Sequence, residues 1–206
     1  MQYWTDKEYG TRPPTVDVID KPVWNGLWSI IETAVGDGSF GFRFPEACPD
    51  GGAKYGCNGQ AFSQLLQAEV PGVEWPIPDH ELPATDVILD VLEFCARAVG
   101  EPIKRDYHSF FSHHHLSWDR EAGLARFVSD VNRVLARNGV AYELTPDGEA
   151  ARLLPEPLAK ALRSTVFKTG DDETDRLLET ARCRIASPKE TTAGMRSRSS
   201  GTPSSG

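Results

Sequence analysis

The chain has no long apolar run. None of its 206 residues falls in a stretch near the roughly 20 apolar residues that cross a bilayer, and its mean hydropathy is −0.40. No membrane partner is expected. Positive charge is also short: 22 Lys and Arg face 30 Asp and Glu, for a net charge of −8. That balance argues against broad, charge-driven binding of nucleic acid, while leaving room for a local basic patch. Cysteine is sparse. Cys48, Cys57, Cys95 and Cys183 include no CxxC and no short Cys/His spacing, so no metal site and no disulfide framework is expected. Eight residues separate Cys48 from Cys57 in a Gly-rich loop, and Cys95 lies on an apolar helical stripe. A phosphate-cradling loop is absent too. The run holding Gly36, Gly38, Phe40, Gly41, Phe42 and Phe44 has neither GxxxxGK[ST] nor a strand–GxGxxG–helix setting, so no nucleotide or other cofactor is expected. The opening Met1-Gln2-Tyr3-Trp4-Thr5-Asp6 lacks the basic-then-apolar build of a signal peptide, and the expected location is the cytoplasm.

The strongest pattern runs from Ser117 to Leu154. Leu124, Phe127, Val128, Val131, Val134 and Leu135 follow the 3.6-residue period of one helical face. Ser117 reads as the N-cap and Asn138-Gly139 as the stop. The period then falls to two at Val140, Tyr142 and Leu144. Pro146-Asp147-Gly148 turns the chain, and Arg152-Leu153-Leu154 returns. A lone hairpin is marginal in water, so the stripe, with Phe127, Val131 and Leu135, is expected to bury against it. The fold class is α+β: mostly helical, with a small antiparallel hairpin packed on a central amphipathic helix.

Around that centre the chain divides as follows. Residues 1–20 read as an extended arm with a short strand. Val23, Leu27, Ile30 and Ile31 mark a helix. Residues 36–83 read as an irregular loop or insertion holding one short helix, Ala61–Ala68, and Pro71, Pro76, Pro78 and Pro83 forbid long regular structure there. A helix from Ala84 to Val99 follows, capped by Thr85 or Asp86. Residues 1–154 form one α+β domain, 155–186 a helical connector, and 187–206 a disordered tail of Ser, Thr, Gly, Pro and Arg.

Several residues are candidates for function. Trp24 and Trp28, one turn apart, together with Tyr142 and Arg152, are candidate binding residues for a protein partner. Arg120, Arg126, Arg133 and Arg137 would meet phosphates if the helix and hairpin served as a winged-helix DNA reader, the alternative function; Asp119, Glu121 and Asp130 on the same stretch oppose it. His108, His113, His114 and His115, with Phe110 and Phe111, read as a solvated or partly packed loop or helix end. Adjacent histidines point different ways on any regular backbone, so no catalytic residue is assigned to them.

The chain resembles the AbiJ N-terminal domain family, abortive-infection proteins of bacteria in the subtype usually fused to a C-terminal HEPN-like domain. The resemblance rests on Tyr9-Gly10 with Arg12-Pro13-Pro14 and on Val23-Trp24-Asn25-Gly26-Leu27-Trp28. It continues through the helix Asp86–Val99, the run Phe127–Leu135, then Gly139-Val140-Ala141-Tyr142-Glu143-Leu144 with Asp147-Gly148, and Asp172–Ala181. It implies a non-catalytic sensing or regulatory module of a phage-defence protein, with a HEPN-like effector as partner. The chain is expected to lack that effector domain. HEPN nucleases use an Arg and a His one or two helical turns apart. Here Arg105 precedes His108 by three positions and His113 by eight, so ribonuclease activity is carried to no residue.

Overall fold

The computed structural model describes residues 3–74, 82–154, 160–161, 164–165 and 167–186, without the side chains of 183–186. The chain divides into two units, Met1–Leu153 and Leu154–Gly206.

In the first unit, carboxylate and amide caps fix where the helices begin. After the short helix α1 (Trp4–Tyr9), Asp20 accepts a hydrogen bond from the Val23 amide at 3.0 Å and opens α2 (Lys21–Gly36). A 3-10 helix (Ser39–Phe42) leads to strands β1 (Pro45–Ala47) and β2 (Lys54–Cys57). Asn58 caps α3 (Gly59–Glu69) through the Ala61 amide at 2.9 Å. Helix α4 (Thr85–Ala98) follows, then β3 (Glu101–His108) and β4 (His113–Asp119). Asp119 caps α5 (Arg120–Arg137) through Ala122 at 3.0 Å, and β5 (Tyr142–Leu144) and β6 (Ala150–Arg152) complete the unit. The described strands form three antiparallel pairs, β1–β2, β3–β4 and β5–β6.

The core is built by helices and by phenylalanine. Val23, Trp24, Leu27 and Ile31 of α2 face Val131 and Leu135 of α5, and α4 adds Ile88, Val91, Leu92 and Cys95. Phe62 stacks on Phe40 at 4.9 Å and meets Phe44 and Phe94 edge-on at 5.6 Å each.

One side chain of helix α5 hydrogen-bonds the last hairpin twice. Asn132 Nδ2 donates to the Leu144 carbonyl and its Oδ1 accepts from the Leu144 amide, both at 2.7 Å. Removing it strands two partly buried backbone groups, each of which costs about 1–3 kcal/mol when unpaired. Asn132→Ala is therefore expected to lose about 2 kcal/mol in urea unfolding, despite the better helix propensity of Ala.

The α+β class holds, with several local corrections. Ser117 lies inside β4 and bonds Arg105 Nε (2.7 Å), so the cap of α5 is Asp119. The stripe Phe127, Val131 and Leu135 is buried, but Phe127 sets its ring edge-on to Phe40 at 6.3 Å rather than relying on the hairpin alone. Phe40 belongs to the segment expected to be irregular, 36–83, which carries the 3-10 helix and a hairpin besides the expected short helix, α3. Short, tightly turned elements leave little periodic signal. Residues 103–118, read as a loop or helix end, form the long hairpin β3–β4; β3 is exposed from Ile103 to Tyr107, so no apolar alternation marks it. Thr85 does not cap α4: its hydroxyl accepts from the Ile19 amide at 3.1 Å. The leading arm holds α1, then pairs Val16 with Val140 in a parallel bridge.

In the second unit, α6 (Asp172–Ala186) begins with acidic residues at its positive end. Asp171 accepts from the Thr174 amide at 3.0 Å, and its hydrogen bonds to Thr174 hold its carboxyl below the usual range. Most of the expected helix after Pro155 and the tail 187–206 lie outside the described residues.

Candidate metal centre

Two turns bring the site together. The first joins β1 to β2. In Cys48-Pro49-Asp50-Gly51, Pro presets the backbone and Gly51 donates its amide to the Cys48 carbonyl at 2.9 Å. Gly51 and Gly52 both take left-handed conformations (φ 86° and 81°), which only glycine adopts in succession without strain. The turn holds Cys48 buried and leaves Asp50 facing solvent.

The second joins β3 to β4. His108 and His113 are direct partners across the hairpin, so their side chains share a face. His115, two residues on, lies on that face as well, and His114 falls on the other. The ring centres of His108, His113 and His115 stand 5.5–5.7 Å apart. His114 instead tilts toward Tyr107 at 5.0 Å and places Nδ1 3.1 Å from the Arg105 carbonyl. Strand alternation thus separates the adjacent histidines as expected, while the hairpin register adds His108 to the pair that remains.

The shared histidine face meets the first hairpin. Tyr55 of β2 stacks on His113 at 4.2 Å, with the rings 13° from parallel. Cys48 Sγ, an Asp50 carboxylate oxygen and one nitrogen each from His108 and His115 all lie within 4.8 Å of one another. His108 Nε2 is hydrogen-bonded to Asp50 Oδ2, and Cys48 also bonds the Asp50 carboxylate. Those bonds, first from Cys48 and then from His108, hold the Asp50 carboxyl below its usual range. Desolvation, followed by the bond to Asp50, pushes the Cys48 thiol up, so it is protonated at neutral pH. Nε2 of His113 and Nε2 of His115 are buried without a hydrogen-bond partner. A thiol, a carboxylate and imidazoles form a donor set suited to borderline-soft divalent metals.

The residues singled out from sequence do not gather into one surface. Trp24 is 2% exposed and belongs to the core, with Trp28 tilted against it at 5.6 Å. Tyr142 packs half-buried on the core, and Arg152 pairs with Asp17 at 2.7 Å. The four arginines of the DNA-reading alternative are engaged within their own chain. Arg120 donates to the Val99 carbonyl at 2.8 Å beneath Phe42, and desolvation lowers its pKa. Arg126 bridges Asp37 (3.3 Å) and Glu101 (3.0 Å); Arg133 pairs with Asp130 (2.8 Å) and Arg137 with Asp6 (2.5 Å). Cys48, Asp50, His108 and His115 were not grouped by spacing, because their proximity is set by two turns far apart in the chain. The legible signals were the Cys-Pro-Asp-Gly turn and the alternation of His113 with His115.

These elements build an α+β domain: a central amphipathic helix, a hairpin docked on it, and a second hairpin set before it. The chain belongs to the AbiJ N-terminal domain 4 family, whose model matches residues 6–168. No curated protein and no solved structure matches the chain significantly. Among the described residues, no helix is long and apolar enough to cross a membrane.

Proposed function

We propose that this domain is a non-catalytic sensing or regulatory module of a bacterial phage-defence protein. It recognises a protein partner and controls an effector, joined to it or separate. Membership of an abortive-infection family supports the setting. The observation that carries the contact is the tip of the β3–β4 hairpin, where Tyr107, next to last in β3, is 56% exposed and Phe110 of the connecting turn 82%. Exposed aromatics are the residue type that anchors protein interfaces. In the turn Ser112 sits at φ 54°, and Phe110 and Phe111 meet edge-on at 4.9 Å. No comparable feature favours DNA, since the arginines of α5 are held by carboxylates and a carbonyl of their own chain.

Phage challenge of cells carrying the native locus tests this reading. The double variant Tyr107→Ala/Phe110→Ala should unfold at the wild-type temperature, because both side chains are exposed. It should nevertheless raise plaque counts to those of cells without the locus. Full protection by the folded double variant would refute the hairpin as the contact surface. Growth arrest caused by the chain with every other protein of the locus deleted would refute the regulatory role.

A further inference from the structure

The geometry points to a zinc-type divalent metal site in which Cys48, Asp50, His108 and His115 bind one ion and tie the β1–β2 turn to the β3–β4 hairpin. Tetrahedral zinc, at about 2.0–2.3 Å from its ligands, sets them roughly 3.3–3.7 Å apart. The four donor atoms already lie within 4.8 Å of one another, so closing on an ion takes side-chain rotation and leaves the fold as it is. The present contacts place protons where a cation would sit: the Cys48 thiol and His108 both converge on Asp50. His115 brings one ring nitrogen to the set, and its buried Nε2 has no hydrogen-bond partner.

Charge fits as well. A thiolate and a carboxylate balance a divalent ion, so the closed complex is neutral. On binding, the Cys48 proton leaves to solvent and the sulfur–metal bond takes its place. His108 binds as the neutral imidazole. With Nε2 on the ion its single proton moves to Nδ1, which gives up only the 3.4 Å contact from the Phe111 amide. One carboxylate is too few for calcium or magnesium, which require oxygen ligands, whereas thiolate with imidazole selects zinc. Four protein donors make a closed, structural site rather than an open catalytic one. The ion would brace two hairpins that belong to separate two-stranded sheets, each marginal alone. His113, stacked on Tyr55, buttresses the wall of the site. The inference rests on this geometry and is independent of the regulatory reading.

Cobalt titration of the full, untagged chain tests it, after chelator treatment and under reducing conditions. One equivalent of Co²⁺ should produce tetrahedral visible bands and a near-ultraviolet thiolate-to-cobalt band. Cys48→Ser should abolish the thiolate band. His108→Ala, His115→Ala and the exposed-site variant Asp50→Asn should each weaken binding more than about tenfold. His114→Ala, on the opposite face, should bind as the wild type does. Circular dichroism identifies any variant that fails to fold, and Asp50→Asn then decides the matter from a solvent-facing position. Absence of saturable binding, a thiolate band that survives Cys48→Ser, or wild-type affinity in folded Asp50→Asn would overturn the proposal. So would an equal loss in His114→Ala.

Discussion

Phe62→Ala is expected to destabilise the domain by about 3–5 kcal/mol, the range for removing a buried aromatic ring. Phe62 is fully buried, and its three ring neighbours come from separate parts of the chain: Phe40 from the 3-10 helix, Phe44 from the segment before β1, and Phe94 from α4. Each neighbour is anchored by its own backbone, so the walls of the cavity cannot collapse together, and the cost falls toward the upper part of the range. Urea unfolding reads this as a lowered midpoint at constant slope. Phe110→Ala, which deletes the same ring from an 82%-exposed position, should stay within about 0.5 kcal/mol of wild type. A loss below about 1 kcal/mol for Phe62→Ala would place the core elsewhere.

Gly123→Ala should also be severely destabilising, against the helical trend. Within a helix, replacing Gly by Ala ordinarily gains about 1 kcal/mol. At Gly123 of α5, however, a Cβ would overlap the backbone nitrogen of Glu101 and the backbone of Gly100. Those atoms belong to the junction of α4 and β3, where the Gly100 amide is tied to the Ser39 carbonyl at 2.9 Å. Backbone cannot rotate away as a flexible side chain can. The expected loss is about 3 kcal/mol or more, at the severe end of overpacking. Gly36→Ala is the matched control: it closes α2, and nothing lies within 4 Å of its added Cβ. It should be neutral or slightly stabilising. Equal unfolding temperatures for Gly123→Ala and wild type would show that α5 does not lie against that junction.

Long amphipathic helices were legible in the sequence because their packing demand is periodic. The stripes of α2, α4 and α5, and the hairpin β5–β6 with its Pro146-Asp147-Gly148 turn, follow from spacing, although the return strand is Ala150–Arg152 and not Arg152–Leu154, because it begins directly after the turn. The hairpin β3–β4 was not legible. Its first strand is solvent-exposed and charged along Lys104, Arg105 and Asp106, so it carries no apolar alternation. Short elements fared similarly: β1 and β2 span three and four residues, too few for a period to register. The candidate site was hidden for the same reason. Its histidines depend on the register of a strand pair that polarity conceals, and its Cys48 and Asp50 depend on a turn whose partner is about sixty residues downstream. Trp24 illustrates the converse: a large aromatic offered as a contact residue is spent on the core, beside Trp28.

The central claim is that the domain regulates and does not itself cut nucleic acid. If it held acid–base chemistry, the groups for it would be His108, His113 and His115, whose rings lie 5.5–5.7 Å apart on one face beside Asp50. The most direct measurement incubates the purified full chain with total RNA, with and without EDTA, beside the His108→Ala/His113→Ala variant. The account predicts intact RNA in every arm. Fragmentation that follows the wild-type chain through purification and disappears in the variant would contradict it and make the histidine face an active site.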